Sequence, residues 1–365
     1  MLILLFVSGL SFRPKGNLPT PDKFSYTVFS ENGGRSDWNV KTGKITFDLL
    51  NGKHWDIVIC NSDLSEMKNL TEQMTGKFYD GQKIEDWHYR GQPAFSPDGK
   101  LILFQVQNEH SSRKPKSEEH LSLGINNDLW IMTSEGQNIQ KLTDNPAGYA
   151  VLHPHFSYDN KSIVWAERTG PDKSASMFGA WRIKLAEISE EKPGKYSLAN
   201  IREFTPGGNR WYETHGFSKD GSKIYFSSNT NTDFKASDIF ELEINTGKAK
   251  NLSASAHTWE EMYNENPAKP GQYSYISSRF FDWKNTWGWG TLRTELYVFN
   301  EGKHHRITFF NNPNPDNPAK LSKRHYFIGD HCWSPDGKYI LAILAEVKAG
   351  PVKTQLLKID VSKIN

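Results

Sequence analysis

The chain alternates short apolar runs, rich in β-branched and aromatic residues, with turns that contain Asp and Gly. Four turns share one frame, in which an aromatic residue is followed by Ser, a variable residue, Asp, and Gly or Asn. The aromatic residues of this frame are Phe95, Phe156, Phe217 and Trp333, with spacings of 61, 61 and 116 residues. Because Asp and Gly accept the unusual dihedral angles of tight turns, each frame predicts a hairpin between two extended runs.

The double spacing before Trp333 indicates a fifth, degenerate copy, which we align over Asn264–Ser278 with Asn264 opposite Thr214. Six segments supply a third extended run after these hairpins: Asp56–Cys60, Asp128–Met132, Ala180–Lys184, Asp238–Leu242, Glu295–Phe299 and Gln355–Ile359. Five of them are followed by a fourth run: Lys68–Thr71, Gln140–Thr143, Arg202–Thr205, Lys250–Ser253 and His305–Thr308.

Six units of four antiparallel strands each predict an all-β fold, a six-bladed β-propeller. The sixth unit has no fourth run before the chain ends at Asn365. We expect the N-terminal segment, Lys23–Ser30, to supply this strand and close the ring. The alternative is that Phe24–Ser30 forms the inner strand of the first blade.

Composition narrows the function classes. The 365 residues include 44 basic and 42 acidic residues, a net charge of +2, which excludes a general nucleic-acid binder. Hydrophobic residues make up 36% and charged residues 24% of the chain, and no stretch of the mature chain is apolar enough to span a membrane. The two cysteines, Cys60 and Cys332, fall in strand-like segments, so we expect buried thiols and no disulfide scaffold.

The N-terminus carries a separate signal. Residues 1–12 (MLILLFVSGLSF) resemble the apolar core of a secretory leader, although a basic segment before the core is missing. The alternatives are a first β-strand or a shortened leader. We expect a periplasmic or secreted protein, with a cytoplasmic location as the alternative, and a single monomeric propeller domain over residues 23–365.

The repeated aromatic-Ser-Pro-Asp-Gly-Lys hairpins, each with an apolar strand after it and most units with a Leu-Thr outer strand, resemble the TolB-type six-bladed propeller family. The resemblance covers nearly the whole chain after residue 23 and implies the fold. It leaves function open, because propellers of this kind serve as protein-binding modules, as accessory domains of peptidases and, with seven blades, as polysaccharide lyases.

Long insertions predict the face that carries the site. They lie between the second and third strands of the units: Asn108–Asn127, Thr169–Gly179, Asn229–Ser237, Phe281–Arg293 and Val347–Val352. Loops gathered on one face of a rigid scaffold usually carry function. We therefore expect the site on this long-loop face, where the segments before the inner strands also enter, and no function on the face of the Asp-Gly hairpins.

Equivalent positions of successive blades point toward one axis, so distant polar residues become neighbours. Four imidazoles, together with Glu265 and Asp330, are expected at the channel mouth: His153, His155, His215 and His331. Imidazole and carboxylate groups are ligands of zinc and manganese, so a divalent metal (Mn, Zn or Ca) is a candidate cofactor. The alternative is that these groups only hydrogen-bond around a water-filled channel.

A second hypothesis is an enzyme. The element His153-Pro-His155 resembles the His-x-His element of oligogalacturonate lyase-type propellers, which implies a metal-assisted lyase acting on acidic glycans. In this hypothesis guanidinium groups clamp a carboxylate while a phenol or imidazole removes the neighbouring proton. The candidate catalytic residues are Arg210, Tyr212 and Arg324.

Exposed aromatic residues provide the third indication. Trp283, Trp287 and Trp289 lie close together in the loop FDWKNTWGWG, and such clusters stack on sugar rings or anchor a protein partner. Packing of this loop onto the propeller is the alternative. Together with them, the candidate binding residues are Tyr89, Arg90, Trp211, Tyr263, His325 and Tyr326. The favoured function is binding of a glycan or protein partner, and the lyase is the alternative.

Overall fold

The computed structural model describes residues 24–364 except 53, 115–123, 171, 173, 177, 231–235, 256, 281–291, 313–321 and 348–352. The described chain forms 26 β-strands and one short 3₁₀ helix, Glu72–Met74, with no α-helix in this part of the chain. Six four-stranded antiparallel sheets and a two-stranded hairpin contain all the strands. The leader-like residues 1–12 lie outside the described residues.

The six sheets are the blades of a propeller, each given from its innermost strand outward. Blade 1 consists of β2 (Gly33–Trp38), β3 (Ile45–Asn51), β4 (His54–Cys60) and β5 (Lys68–Asn69). Blade 2 consists of β8 (Arg90–Phe95), β9 (Leu101–Gln107), β10 (Asn127–Thr133) and β11 (Gln140–Lys141). Blade 3 consists of β12 (Ala150–Phe156), β13 (Ser162–Gly170), β14 (Ala180–Lys192) and β15 (Lys195–Phe204). Blade 4 consists of β16 (Tyr212–Phe217), β17 (Lys223–Ser228), β18 (Asp238–Glu243) and β19 (Ala249–Asn251). Blade 5 consists of β20 (Glu260–Glu265), β21 (Tyr273–Ser277), β22 (Glu295–Asn300) and β23 (Lys303–Arg306).

Blade 6 closes the ring. It consists of β24 (His325–Trp333), β25 (Tyr339–Val347), β26 (Lys353–Asp360) and, on the outside, the N-terminal strand β1 (Tyr26–Glu31). β1 pairs antiparallel with β26, with Tyr26 opposite Ile359 and Glu31 opposite Gln355. This confirms the expected closure by the N-terminal segment, and the inner strand of blade 1 is β2. The remaining strands, β6 (Phe78–Tyr79) and β7 (Gln82–Lys83), form a separate hairpin between blades 1 and 2.

The repeated turn frame has a direct structural cause. Ser96 Oγ donates to Asp98 Oδ1 at 2.7 Å and accepts from the N–H of Leu101 at 2.9 Å, while Gly99 adopts a φ of 76°. The same bonds recur at Ser157 with Asp159, Ser218 with Asp220, and Ser334 with Asp336. The frame thus encodes a hairpin whose polar groups are satisfied within the turn.

The outer Leu-Thr motif also has a structural cause. The carboxylate near the start of the third strand is buried, and a hydroxyl two residues after the end of the fourth strand donates to it. Thr71 Oγ1 and Asp56 Oδ1 are 3.0 Å apart, and the pairs Thr143–Asp128 and Ser253–Asp238 have the same separation. Each pair anchors the outer strand to the blade, because a buried carboxylate needs hydrogen-bond donors.

Six of the seven apolar clusters in the described part of the chain are large, and each lies between two neighbouring blades. Trp130, Trp165 and Trp181 are fully buried in three of them, as expected for tryptophans within strands. The cluster between blades 4 and 5 differs, because it is built mainly from tyrosines. Both cysteines are free and buried in the cluster between blades 6 and 1. In the described part of the chain no helix has the length and apolar character needed to cross a membrane.

The closing strand allows a test of ring closure. Phe29 on β1 is buried and packs edge-on against Phe47 of blade 1, with ring centroids 6.0 Å apart, whereas Val28 beside it is 37% exposed. We predict that Phe29→Ala lowers the free energy of unfolding by about 3 to 5 kcal/mol, and that Val28→Ala lowers it by less than about 0.5 kcal/mol. Urea unfolding followed by tryptophan fluorescence measures both, and equal losses would contradict the packing role of β1.

Candidate functional site

The axial channel has two different ends. Every inner strand begins at the long-loop face and ends at the face of its Asp-Gly hairpin. His155, His215 and His331 lie in the second half of their strands and His153 lies at the middle of its strand, so they approach the hairpin face. The sequence analysis placed them at the long-loop face. The difference arises because residues just before the hairpin aromatic are at the end of the strand, whereas the long loops are at its beginning.

A cavity of about 480 Å³ opens at this hairpin end of the channel, and we call it the axial cavity. Residues of the hairpins, including Lys41, Pro97, Tyr158, Lys219 and Pro267, line its mouth. Its wall is aromatic, since the aromatic positions of five hairpins line it: Trp38, Phe95, Phe156, Phe217 and Trp333. The volume is in the range of pockets that hold small ligands.

Blade 5 contributes Glu265 at the position of the missing aromatic. The N–H of Asn266 donates to Gln272 O at 2.9 Å, as that of Ser218 donates to Lys223 O in blade 4. This register makes Glu265 of blade 5 equivalent to Phe217 of blade 4, and Tyr263 equivalent to His215. The alignment expected from the sequence differs from it by two residues. The degenerate turn of blade 5 has no Ser-x-Asp-Gly frame, so the sequence contained no marker for the correct register.

Buried and half-buried ionisable side chains form the base of the channel, and we call them the axial cluster: Arg35, His153, His155, Glu213, His215, Glu261, Asp330 and His331. Arg35 Nη2 lies 3.1 Å from His155 Nε2, and its Nε lies 3.8 Å from Asp330 Oδ1. His153 lies between two carboxyl groups, with Nδ1 3.1 Å from Glu213 Oε1 and Nε2 3.7 Å from Asp330 Oδ1. Blades 1, 3, 4 and 6 therefore meet in one network.

The other two imidazoles bind neighbouring strands. His215 Nε2 accepts from the N–H of Met262 at 3.3 Å and lies 2.6 Å from Ser227 Oγ. His331 Nε2 lies 2.8 Å from Ser274 Oγ. Burial lowers the pKa of all four histidines, and the charge of Arg35 lowers the pKa of His153, His155 and His215 further. The pKa of His331 falls to about 4, so these imidazoles are neutral near pH 7.

The carboxyl groups shift in the opposite direction. Burial raises the pKa of Glu213 well above its usual range, and the nearby charges of Glu261 and Asp330 raise it further. Burial raises the pKa of Glu261 to about 8, although Trp259 Nε1 donates to Glu261 Oε2 at 2.7 Å. The two glutamates are hydrogen-bonded to each other. Two carboxyl groups in one dry site cannot both ionise easily, so the pair holds a proton near pH 7.

Hydrogen bonds and one ion pair link the blades around the axis. Asp48 accepts from Gln92 N, Gln92 Oε1 from His153 N, and His153 O from Thr214 Oγ1, at 2.7, 2.9 and 2.8 Å. The circuit continues from blade 4 to blade 5 through His215 and Met262, and from blade 5 to blade 6 through Asn264 Nδ2 and His331 O at 3.1 Å. The Arg35–Asp330 pair joins blade 6 to blade 1. Part of the axial cluster thus supports the ring itself.

Comparisons with known proteins agree with this architecture. TolB from Acinetobacter baumannii superposes with a TM-score of 0.52 at 14% identity, covering 87% of this chain and 64% of that one. A protein described as TolB from Agrobacterium tumefaciens gives the same score and identity, with 87% and 91% covered. The chain has a TolB-type propeller fold. At this identity the likeness shows the fold alone.

Other comparisons add less. An oligogalacturonate lyase in complex with manganese is 13% identical and covers 93% of this chain and 97% of that one, but its TM-score of 0.45 is too low to support an argument. No protein-family model matches the sequence, and no curated protein matches it. The site of this TolB-type propeller therefore has to be judged from its own residues.

The structure separates the candidate catalytic residues from the imidazoles. Arg210 and Arg324 are exposed and precede their inner strands, at the end of the channel opposite the axial cavity. Tyr212 is fully buried, and its hydroxyl donates to Gly208 O at 2.9 Å and accepts from the N–H of Gly207 at 2.8 Å. In this arrangement Tyr212 holds a turn.

The candidate binding residues also divide. Arg90 is buried between blades 1 and 2, where Nη1 lies 3.0 Å from Asp56 Oδ1, and Tyr89 packs beside Trp55. Trp211 packs against Trp259, and Tyr326 against Phe310, while His325 is half-buried at the start of β24. Tyr263 lines the axial cavity. The loop tryptophans Trp283, Trp287 and Trp289 lie outside the described residues.

Sequence reasoning missed Arg35, Glu213 and Glu261. Arg35 lies in the least regular blade, where Gly33-Gly34-Arg35 hid the inner strand. Glu213 could have been found, because strand residues two apart share a face and Glu213 precedes His215 by two. A β-bulge interrupts each of the six inner strands close to these residues and disturbs the alternation. The two-residue spacing alone therefore does not determine which side chains face the axis.

Part of the axial cluster has donor atoms for a metal. One atom each of His153, Glu213 and His215 lies within 4.8 Å of the others. Nitrogen and carboxylate donors fit zinc or manganese and fit calcium less well, since calcium prefers oxygen ligands. Two observations oppose a metal here: the guanidinium of Arg35 is close, and the lone pair of His215 Nε2 already accepts from Met262.

The glutamate pair predicts a pH dependence of stability. The unfolded chain releases the proton of Glu261 near pH 4.5, and the folded protein keeps it until about pH 8. Because the folded state binds more protons in this window, its stability decreases as pH rises through it. We expect a smaller decrease for Glu261→Gln, whose amide can accept from Trp259 and donate to Glu213.

The measurement is urea unfolding across that window for the wild type, Glu261→Gln and the exposed control Glu135→Gln. The control should follow the wild type. Parallel curves for the wild type and Glu261→Gln would show that Glu261 does not carry the buried proton.

Proposed function

We propose that this chain is an exported TolB-type propeller that binds a glycan or a segment of a partner protein, with its principal contacts in the axial cavity. One observation carries the proposal: the aromatic wall of the hairpins and the polar groups of the axial cluster converge on the same cavity of about 480 Å³. Apolar walls with a few converging polar groups are typical of ligand sites. The leader-like residues 1–12 support export.

Substitution of Tyr158 tests this proposal, because Tyr158 lines the mouth of the axial cavity and is 46% exposed. Its loss should weaken binding about tenfold without unfolding the blade, since exposed aromatic rings contribute stacking and contact area at binding sites. A matched control is Phe78→Ala, because Phe78 is 70% exposed on the β6–β7 hairpin and does not line the cavity.

The experiment uses a microarray of neutral, acidic and amino oligosaccharides beside overlapping peptides, followed by calorimetric titration of the strongest probe. The expected result is weaker binding for Tyr158→Ala and unchanged binding for Phe78→Ala. Absence of binding to every probe, or equal affinities of the two variants, would refute binding in the axial cavity. If only Trp283→Ala loses binding, the predicted long-loop face carries the contact instead.

A metal-assisted lyase on acidic glycans is the second candidate, and the His153–Glu213–His215 group favours it. A bound divalent cation would neutralise the uronate carboxylate. The chain must then supply a base that removes the proton next to that carboxylate, while the glycosidic C–O bond breaks and leaves an unsaturated sugar. The cavity offers neutral imidazoles as bases, whereas Arg210, Tyr212 and Arg324 lie away from it.

Metal content and product absorbance test this candidate. An enzyme should purify with about one equivalent of Zn or Mn and release unsaturated product from polygalacturonate. His153→Gln should lose both properties, whereas His110→Gln, an exposed histidine outside the cavity, should keep them. Protein without metal that gives no unsaturated product after Mn or Zn is added would exclude the lyase.

A further inference from the structure

Glu265 is the one acidic residue among the six equivalent hairpin positions of the axial cavity. The other five are aromatic, and Glu265 itself is held by tyrosines. Tyr225 Oη and Tyr263 Oη donate to Glu265 Oε1 at 2.9 and 3.2 Å. The two rings contact each other, with centroids 4.1 Å apart and planes inclined by 32°, so the carboxylate is fixed at the wall instead of moving freely in solvent.

The negative charge of Glu265 also acts on Tyr158, another residue at the mouth of the axial cavity. Tyr158 belongs to blade 3, and burial of its hydroxyl together with the negative charges of Glu265 and Asp37 raises its pKa to about 12. The electron-rich faces of aromatic rings attract cations, and a carboxylate beside them strengthens the attraction. Aromatic walls with a fixed carboxylate form the arrangement that recognises organic ammonium groups.

The ionisable groups at the base of the channel also favour a bound cation. Three buried carboxyl groups, Asp48, Glu213 and Glu261, and two half-buried ones, Asp37 and Asp330, surround the channel. The positive charge of Arg35 lowers the pKa of four of them: Asp37, Asp48, Glu213 and Asp330. A second positive charge in the axial cavity would therefore favour the ionised form of these carboxyl groups, of which the Glu213–Glu261 pair otherwise holds a proton.

Two lysines at the mouth do not remove this preference. Lys219 Nζ donates to Pro267 O at 3.0 Å, and both Lys219 and Lys41 are exposed to water. Water and salt screen exposed charges strongly, whereas charges inside the cavity are screened less. The balance inside the cavity is set by Glu265, Asp330 and Arg35.

We infer that the axial cavity receives an alkylammonium group of the ligand between its aromatic wall, Glu265 and Asp330. The inference rests on the proposed binding function and adds the chemical class of the group that is bound. A lysine side chain and an amino sugar both present such a group, and the two sources are separated by the choice of probe.

The experiment compares charged probes with uncharged analogues by calorimetry at millimolar concentrations. The peptide arm uses N-acetyl-lysine methylamide against N-acetyl-norleucine methylamide, and the sugar arm uses glucosamine against N-acetylglucosamine. We expect the amine of at least one pair to bind at least about tenfold more tightly than its analogue. The arm that shows this difference identifies the source.

Variants locate the bound charge. Glu265→Gln keeps the shape and hydrogen bonding of the side chain and removes its charge, so it should reduce amine binding about tenfold. Tyr158→Leu keeps an apolar side chain and removes the aromatic face, so it should weaken the amine more than the analogue. Glu301→Gln is the control, because Glu301 is exposed in the turn between β22 and β23.

The outcomes are distinct. Equal binding of amine and analogue in both arms, no amine binding in either arm, or no effect of Glu265→Gln would overturn the inference. If the microarray still finds a ligand that Tyr158→Ala weakens, the proposed function stands without the ammonium group. If no array probe binds either, the proposed function fails as well.

Discussion

Closure of the ring is the constraint on which the rest of the structure depends. The sixth blade obtains its outer strand, β1, from the other end of the chain, and this pairing joins the two ends of the ring. Side-chain hydrogen bonds and the Arg35–Asp330 ion pair then link each blade to the next. Without this circuit the axial cavity would have no fixed wall, because its lining comes from all six blades.

The fold could be predicted from the sequence because its signals are local. The Ser-x-Asp-Gly turn satisfies its own polar groups, so four hairpins were visible from spacing alone, and the Leu-Thr motif marked the outer strands. Blade 1 and blade 5 lack the turn frame, and there the sequence located the inner strand and its register poorly. The predictions therefore failed where local turn chemistry is absent.

The candidate site could be predicted only in part, since it depends on long-range geometry. The convergence of His153, His155, His215 and His331 followed from symmetry. The expected position of the imidazoles at the long-loop end followed from an assumption about loops, and the separation of Arg210 and Arg324 from the imidazoles followed from the direction of the strands. Arg35 was invisible, because no repeat marks its strand, although it contacts His155 and lies beside Asp330.

The pairing of β1 with β26 also governs the order in which the molecule can assemble. Gln355 hydrogen-bonds to Glu31, a residue 324 positions earlier in the sequence. Contacts between such distant segments form late, because the whole intervening chain must be ordered first. Five blades can form as the polypeptide emerges, but the last seam waits until β26 has been synthesised. Until then, the newly made protein exposes two unpaired strand edges, which makes it dependent on fast completion or on protection from aggregation.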